Sequence, residues 1–434
     1  MSPRAKSDPL DLRVEQQLLG NGLRVLICPS AAAPVVSVQT WFRVGSRHER
    51  EGLTGIAHLF EHLMFNRTER LAAGEFDRLM EQAGGDTNAS TWTDWTQYTD
   101  NLPADRLELA LRLEAERMQR LVLDDEVVES EREVVMNERR FRVEDDVEGA
   151  ISEELYARAF TQHPYRWPTI GWMRDIRAIT IADARAFYRT HYAPNNATLV
   201  IAGACEPAAV LREIERRYGR IRPQVLPTET IVVEPEQTEE RRATLVWPVA
   251  AARACYAWKA PAQGDPDWSA LALAHTLLLG GAAARLYRRL VVDDELASQV
   301  GGMLTPFAHP GLYELFVSLV RGHTVAEVEQ VIDEEVARLS AAAPSAAELA
   351  RARTRLETEF CVELETADGK AQALGHYDAT LGDHRLLREQ HARLLAVRPE
   401  EISRAAARYL RKERRTVVVA EPSGEVVDDE GDDA

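Results

Sequence analysis

The sequence predicts two α+β domains of similar size, each an antiparallel-rich β-sheet packed with helices and related by duplication. Three observations predict it. The chain has 434 residues, too many for one ordinary core and enough for two domains of about 200 residues each. Strand-like and helical stretches follow the same order in both halves, without the regular spacing of a parallel βαβ fold. Between the halves, 222–240 collects Pro223, Pro227 and Pro235 among polar residues, the composition of a linker. The expected division is a first domain over 1–222, a linker over 223–240, a second domain over 241–427 and a disordered acidic tail over 428–434.

In the first half, Gly22 to Cys28 alternates loosely and Val35 to Phe42 is rich in β-branched and aromatic residues, so both read as strands. A helix is expected from Leu53 to Phe65 and another from Gly74 to Gln82, stopped by Gly84-Gly85. Thr91 to Asn101 reads as strand. Ala104 to Leu121 has helical period through Leu107, Leu111 and Met118. A long charged helix runs from Asp125 past Arg142. Helix over Ile181 to Tyr188, buried strand over Ala197 to Ala202 and helix over Pro207 to Tyr218 complete the half. The second half offers strands at Thr244 to Trp247, Cys255 to Lys259, Leu312 to Leu319 and Thr416 to Ala420. Its helices begin with Trp268 to Leu279 and Ala284 to Val291.

Composition excludes several classes. No apolar run approaches the roughly 20 residues that span a bilayer, and no apolar stretch follows the first residues as in a secretory signal. Cys28, Cys205, Cys255 and Cys361 are scattered in apolar contexts and read as buried free thiols. Together these favour the cytoplasm. The net charge of −18 argues against nucleic acid, which needs a basic face. Part of that charge lies in the tail from Asp428 to Asp433.

The chemistry concentrates in Gly55-Ile-Ala-His58-Leu-Phe-Glu61-His62-Leu-Met-Phe65. Residues four apart share a helix face, so His58 and His62 can grip one metal from one side. Imidazoles suit zinc, and a catalytic zinc keeps one position for water. Glu61, one turn from His58, can take the water's proton without being a ligand. The pattern is H-x-x-E-H. A third ligand is needed, and the helix beyond Asp125 offers Glu126, Glu129, Glu131, Glu133, Glu138 and Glu144; spacing does not choose among them. Glu131 and Glu138 lie two turns apart on one face, and Val134 and Val135 between them would turn that face inward.

These stretches resemble the pitrilysin/insulinase family, in its short bacterial branch similar to the mitochondrial processing peptidase β subunit. The matching segments are Gly45-Ser-Arg47 with Glu49, the His58–His62 motif, Gly84-Gly-Asp-Thr-Asn88-Ala-Ser-Thr91, Glu131 to Glu138, His163-Pro-Tyr165 and Tyr192-Ala-Pro-Asn195. The resemblance covers nearly the whole chain. It implies one Zn²⁺ per chain held by His58, His62 and Glu138, with Glu61 as general base and Glu131 in support. It implies a peptide substrate added as a strand along Asn88, Ala89, Ser90 and Thr91. It also implies a clamshell chamber of which this chain forms half.

The resemblance fails at one place. The half without zinc in such proteins supplies an Arg and, seven positions later, a Tyr that stabilise the oxyanion. Here the Gly280-Gly281 turn and Arg285-Leu286 are followed by Val291 and Ser298 at those positions. Arg288 or Arg289 offers a displaced substitute. The expectation is a zinc-carrying subunit paired with a homologous zinc-less partner that brings the Arg/Tyr pair, with a homodimer second. The competing expectation is a non-catalytic structural or peptide-binding subunit. His275, on the helix corresponding to the zinc helix, lacks a second histidine and reads as a core or surface residue, and Trp92, Trp95, Trp167 and Trp172 read as packing. Arg47 reads as structural.

Overall fold

The computed structural model describes residues 12–424; the expected acidic tail lies outside the described residues. The first half runs β1 (Glu15–Leu18), β2 (Arg24–Pro29), β3 (Val35–Phe42), α1 (Ile56–Leu63), α2 (Glu75–Gln82), β4 (Asp86–Thr91) and β5 (Thr96–Pro103). Then come α3 (Leu107–Arg120), α4 (Asp125–Arg139), α5 (Val147–Ala159), α6 (Met173–Ala178), α7 (Ile181–His191), β6 (Ala197–Gly203) and α8 (Pro207–Tyr218). The second half runs β7 (Arg241–Trp247), β8 (Arg253–Lys259), α9 (Pro266–Leu279), α10 (Arg285–Tyr287), β9 (Ala297–Leu304) and β10 (Leu312–Leu319). It closes with α11 (Val325–Ala341), α12 (Ala346–Glu363), α13 (Ala367–Leu381), α14 (Leu386–Ala396), α15 (Pro399–Tyr409) and β11 (Arg415–Pro422). No helix or strand forms over 222–240.

Two sheets form, of order β1-β2-β6-β3-β5-β4 and β7-β11-β8-β10-β9. Without β1 the orders are the same, and so are the directions. In each sheet the one parallel pair joins an opening and a closing strand, β2 with β6 and β7 with β11. The other pairings are antiparallel. The duplication expected from element order is therefore present in topology, and β9 occupies in the second sheet the edge place of β4 in the first.

Packing divides the chain into two units that are not the two halves. One unit joins the residues up to Arg139 with Trp167–Ile231 and Thr358–Glu389; the other joins Arg140–Arg166, Val232–Glu357 and the chain from Gln390. Each sheet thus receives one helix from the opposite half of the sequence. In the first unit, Val25, Ile27, Val36, Val38, Leu199 and Ile201 face a core shared with α1, α3 and α4. The alternate residues Leu26, Cys28, Trp41, Val200 and Ala202 face Ala371 and Leu374 of α13. Covered on both faces, β6 is buried at all seven positions, which is why it reads as a largely apolar run with Thr198 as its one polar side chain. In the second unit Tyr256, Trp258, Leu315, Val417 and Val419 pack toward α11 and α15, and α5 packs on β8, β7 and β11.

Some elements differ from the expectation. The strand expected over Thr91 to Asn101 is two strands, β4 and β5, broken at Trp92–Trp95, where the Trp92 N–H donates to the Trp95 carbonyl at 2.9 Å. The long charged helix ends at Arg139, passes through a π turn over Arg140–Glu144 and restarts as α5. The restart has local causes. The Asp146 side chain accepts from the Gly149 N–H at 2.7 Å, an N-cap, and Val147, Ile151, Leu155 and Ala159 make a buried stripe. The helix expected over Ala284 to Val291 is α10 followed by a π turn over Arg288–Asp293.

Candidate metal centre and active site

The site is built on α1, and α1 is fixed at its N-terminus. Gly55 caps it with φ 92°, a left-handed conformation suited to glycine. The buried Glu49 carboxylate accepts from the N–H groups of Gly55 and Ala57 at 2.9 and 2.8 Å, satisfying donors that every helix start leaves open. Burial pushes this carboxyl well above its usual range, against the pull of those two bonds. Gly171, itself at φ +86°, lies so close that a Cβ there would sit 2.4 Å from the Gly55 Cα. Thr54 donates its hydroxyl to Asp175 at 2.8 Å and accepts from the Trp172 N–H at 2.9 Å. On the other helix, Arg139 of α4 donates to the Gly171 carbonyl at 2.8 Å. One loop therefore sets the register between α1 and α4.

That register brings three expected ligands together. The donor atoms of His58, His62 and Glu138 lie within 4.8 Å of one another, the one such group of three among the described residues. Glu138 Oε2 is 3.6 Å from His58 Nε2 and 3.3 Å from His62 Nε2. Glu131 stands apart from this group. Its Oε2 faces His62 Nδ1 at 3.6 Å, and its Oε1 accepts from the Asn66 amide at 2.8 Å. Glu126, Glu129, Glu133 and Glu144 are exposed. The burial argument from Val134 and Val135 is corrected: Val135 is buried, but Val134 is 45% exposed, and the inward stripe of α4 is Val128, Val135, Met136 and Arg139.

Two imidazoles and one carboxylate are an N₂O donor set suited to zinc with a fourth position left open. The electrostatics fit a cation. Burial alone would lower the His62 imidazole, but Glu131, Glu138 and Glu61 outweigh it and lift the ring to about 9. The interaction with His62 also holds Glu131 below its usual range despite burial. Glu61 moves the other way: burial raises it, partly offset by the Thr91 hydroxyl and N–H and by His62. A carboxyl raised in this way is a stronger base than an ordinary carboxylate and is suited to accepting and returning a proton.

Asn88, Ala89, Ser90 and Thr91 lie on β4, which pairs with β5 alone and forms the sheet's edge. Ala89 turns into the core while Asn88 and Ser90 face out. In the second unit, His275 is packed edge-on to Tyr313 with centroids 5.2 Å apart, and burial pushes it down to about 4, a packing role. Val291 lies in the π turn, packed against the second core. Ser298 donates to the Ser318 carbonyl at 3.2 Å. Arg288 pairs with Asp293, and Arg289 with Asp294, Glu334 and Glu335. Both displaced arginines are thus engaged in ion pairs.

Residues 24–171 match the model of the insulinase family, peptidase family M16, and residues 178–356 match that of the peptidase M16 inactive domain. A zinc protease of Helicobacter pylori, PqqE, is 30% identical over 425 residues, covering 94% of this chain and 93% of the relative. The chain belongs to the insulinase family of peptidases. Within this family it is also 25% identical over 405 residues to a probable mitochondrial-processing peptidase β subunit of Arabidopsis thaliana, covering 90% of this chain and 75% of that one. The crystal structure of a protease from Helicobacter pylori superposes with a TM-score of 0.91 at 28% identity, over 95% of this chain and all of that one. The inactive-domain match falls largely on the half where His275 stands without a second histidine.

Of the first-half site residues named from sequence, His58, His62 and Glu138 converge, Glu131 reaches only the Nδ1 side of His62, and Asn88 to Thr91 lie on the edge strand β4. The sequence reading did not find Asn66, Thr54 or Asp175. Thr54 before Gly55 is a weak helix-start signal; Asn66 and Asp175 carry none.

Proposed function

We propose that this insulinase-family chain is the zinc-carrying subunit of an endopeptidase that hydrolyses peptides or unfolded polypeptides. One observation carries the reading: His58, His62 and Glu138 converge within 4.8 Å with the raised Glu61 carboxyl beside them. When bound, zinc would supply Lewis-acid polarisation of a peptide carbonyl and a water made acidic toward neutral pH. Glu61 takes the proton of the attacking water and returns it to the leaving amine. Glu131, steadied by Asn66, holds His62 through Nδ1, which fixes the ring and leaves Nε2 for the metal. The open edge of β4 supports an added peptide strand, held through main-chain bonds over Asn88 to Thr91.

The reading includes a partner. Val291 and Ser298 supply neither a guanidinium nor a phenol, and Arg288 and Arg289 are paired elsewhere. A homologous zinc-less chain that carries the Arg and the Tyr would complete the site. The test is zinc content and cleavage of an unstructured peptide, by the chain alone and with its partner. Glu61→Gln is expected to keep zinc and lose about 10²- to 10⁴-fold in turnover. Chelation is expected to abolish turnover, and added zinc to restore it. Normal cleavage by Glu61→Gln would sink the assigned base. Full activity of the isolated chain would sink the partner requirement.

A further inference from the structure

The second unit holds a buried amine that the proposed chemistry does not use. Lys259 ends β8 on the face that α5 covers. Its Nζ lies 3.1 Å from the centroid of the Phe160 ring and is buried with no hydrogen-bond partner. The residue lines a cavity of about 380 Å³, whose walls include Glu234, Pro235, Pro261, Tyr409 and Arg414. The other charged wall groups are engaged. Glu234 accepts from the N–H groups of Thr161, Gln162 and His163 at 2.7 to 2.9 Å. Arg414 pairs with Glu236 at 2.6 Å, Arg408 pairs with Asp267 at 2.7 Å, and Asp265 accepts from the Asp267 N–H at 2.8 Å.

An ammonium buried without a partner costs several kcal/mol. The face of Phe160 favours the cation by about 2 kcal/mol or somewhat more at a desolvated site, less than that cost. Burial therefore wins, with Glu234 opposing it and Arg241 adding to it, and the amine falls to about 6. The residue type fits this outcome. Of the 52 basic residues only Lys6, Lys259, Lys370 and Lys412 are lysines. Arginine cannot shed its proton, so this position carries the one basic side chain able to become neutral there. A neutral amine has a free lone pair and is a nucleophile.

We propose that Lys259 is a covalent-modification site that takes small aldehydes or ketones as an imine. The Nζ lone pair forms a bond to the carbonyl carbon while the C=O π pair moves to oxygen. Nitrogen gives up a proton and oxygen gains one, leaving a carbinolamine. Loss of one water then gives C=N, with no oxidation or reduction. The alkyl part of the adduct is received by Pro235, Pro261, Pro310, Ala260 and Ala262. The ionised Glu234 offers a countercharge to the protonated imine. The site is independent of the zinc centre.

The test treats the full chain with propanal near neutral pH, traps adducts with borohydride and maps the modified peptides. Lys370 and Lys412 serve as internal references. The expected result is propylation at Lys259 at least about tenfold ahead of both, because an ordinary lysine is neutral in only about one molecule in a thousand. Lys259→Arg is expected to lose that early labelling and leave the slow labelling elsewhere. Labelling at Lys370 and Lys412 first, or labelling of Lys259 only after denaturation in urea, would overturn the proposal.

Discussion

Glu131 and Glu138 stand two turns apart on α4 and meet opposite nitrogens of His62, at 3.6 and 3.3 Å. Glu138 also approaches His58, whereas Glu131 is tied back to Asn66. The two carboxylates should therefore differ in what their loss does. Glu138→Gln is expected to weaken zinc binding by at least about 100-fold, and Glu131→Gln or Asn66→Ala by about 10- to 100-fold. Competition with a chromophoric chelator measures all three. Equal losses at 131 and 138 would make Glu131 a ligand in its own right. The His58–Glu61–His62 pattern was legible because its spacing is local to one helix. Glu138 was not legible from spacing, since six carboxylates on one stretch look alike until packing exposes four of them. Asn66 and Asp175 were silent because their partners, Glu131 and Thr54, lie 65 and 121 residues away.

Between elements, the contact of Gly55 with Gly171 sets where α1 begins. Gly171→Ala meets both a left-handed φ and the Gly55 Cα at 2.4 Å. A cost of about 1–2 kcal/mol for the backbone alone, with weaker zinc binding, is expected in thermal denaturation and chelator competition; an unchanged zinc affinity would mean that the loop yields without moving α1. In the second unit, α5 is tied to its sheet by Tyr156, whose hydroxyl donates to Glu314 at 2.5 Å. Burial raises Glu314 to about 7, against that bond. A carboxyl raised on folding binds its proton more tightly in the native state. Its contribution is complete below the unfolded value near 4.5 and is lost as pH rises through about 7. Stability should fall across this window with a slope of up to about 1.4 kcal/mol per pH unit, and Glu314→Gln should flatten it in urea titrations. A slope unchanged by the substitution would assign the effect to another group. Strands such as Val35–Phe42 and Leu312–Leu319 were legible to the residue because they are rich in β-branched, aromatic and aliphatic residues despite Ser37, Gln39, Glu314 and Ser318. The restart at α5 was missed although Asp146 and the stripe from Val147 to Ala159 announce it, because the charged helix before it masked the break. The edge strand β4 is half-exposed, with too little apolar alternation to separate it from the turn that follows.

Across the whole chain, two duplicated α+β halves were foreseeable from element order, and the half with the candidate metal site from the motif on α1. The exchange of α5 and α13 was not. Their apolar faces show that each must be covered, not by which sheet, because both sheets offer a similar back face. The proposed partner belongs to this scale as well: Val291 and Ser298 carry neither a guanidinium nor a phenol, Arg288 and Arg289 of the π turn are held in ion pairs, and on that proposal the Arg/Tyr function falls to a second polypeptide.

The exchanged helix also sets an order of events during synthesis. Strands β2, β3 and β6 are complete once Gly203 has left the ribosome, yet the face of Leu26, Trp41 and Val200 waits for Ala371 and Leu374. For more than 160 further residues of translation that apolar surface lacks the cover of α13, the condition that invites chaperones or aggregation. A chain stopped at Glu357 is expected to carry this exposure permanently, bind a hydrophobic dye and precipitate. If it stays soluble and dye-silent, then some other segment shields the face until α13 arrives.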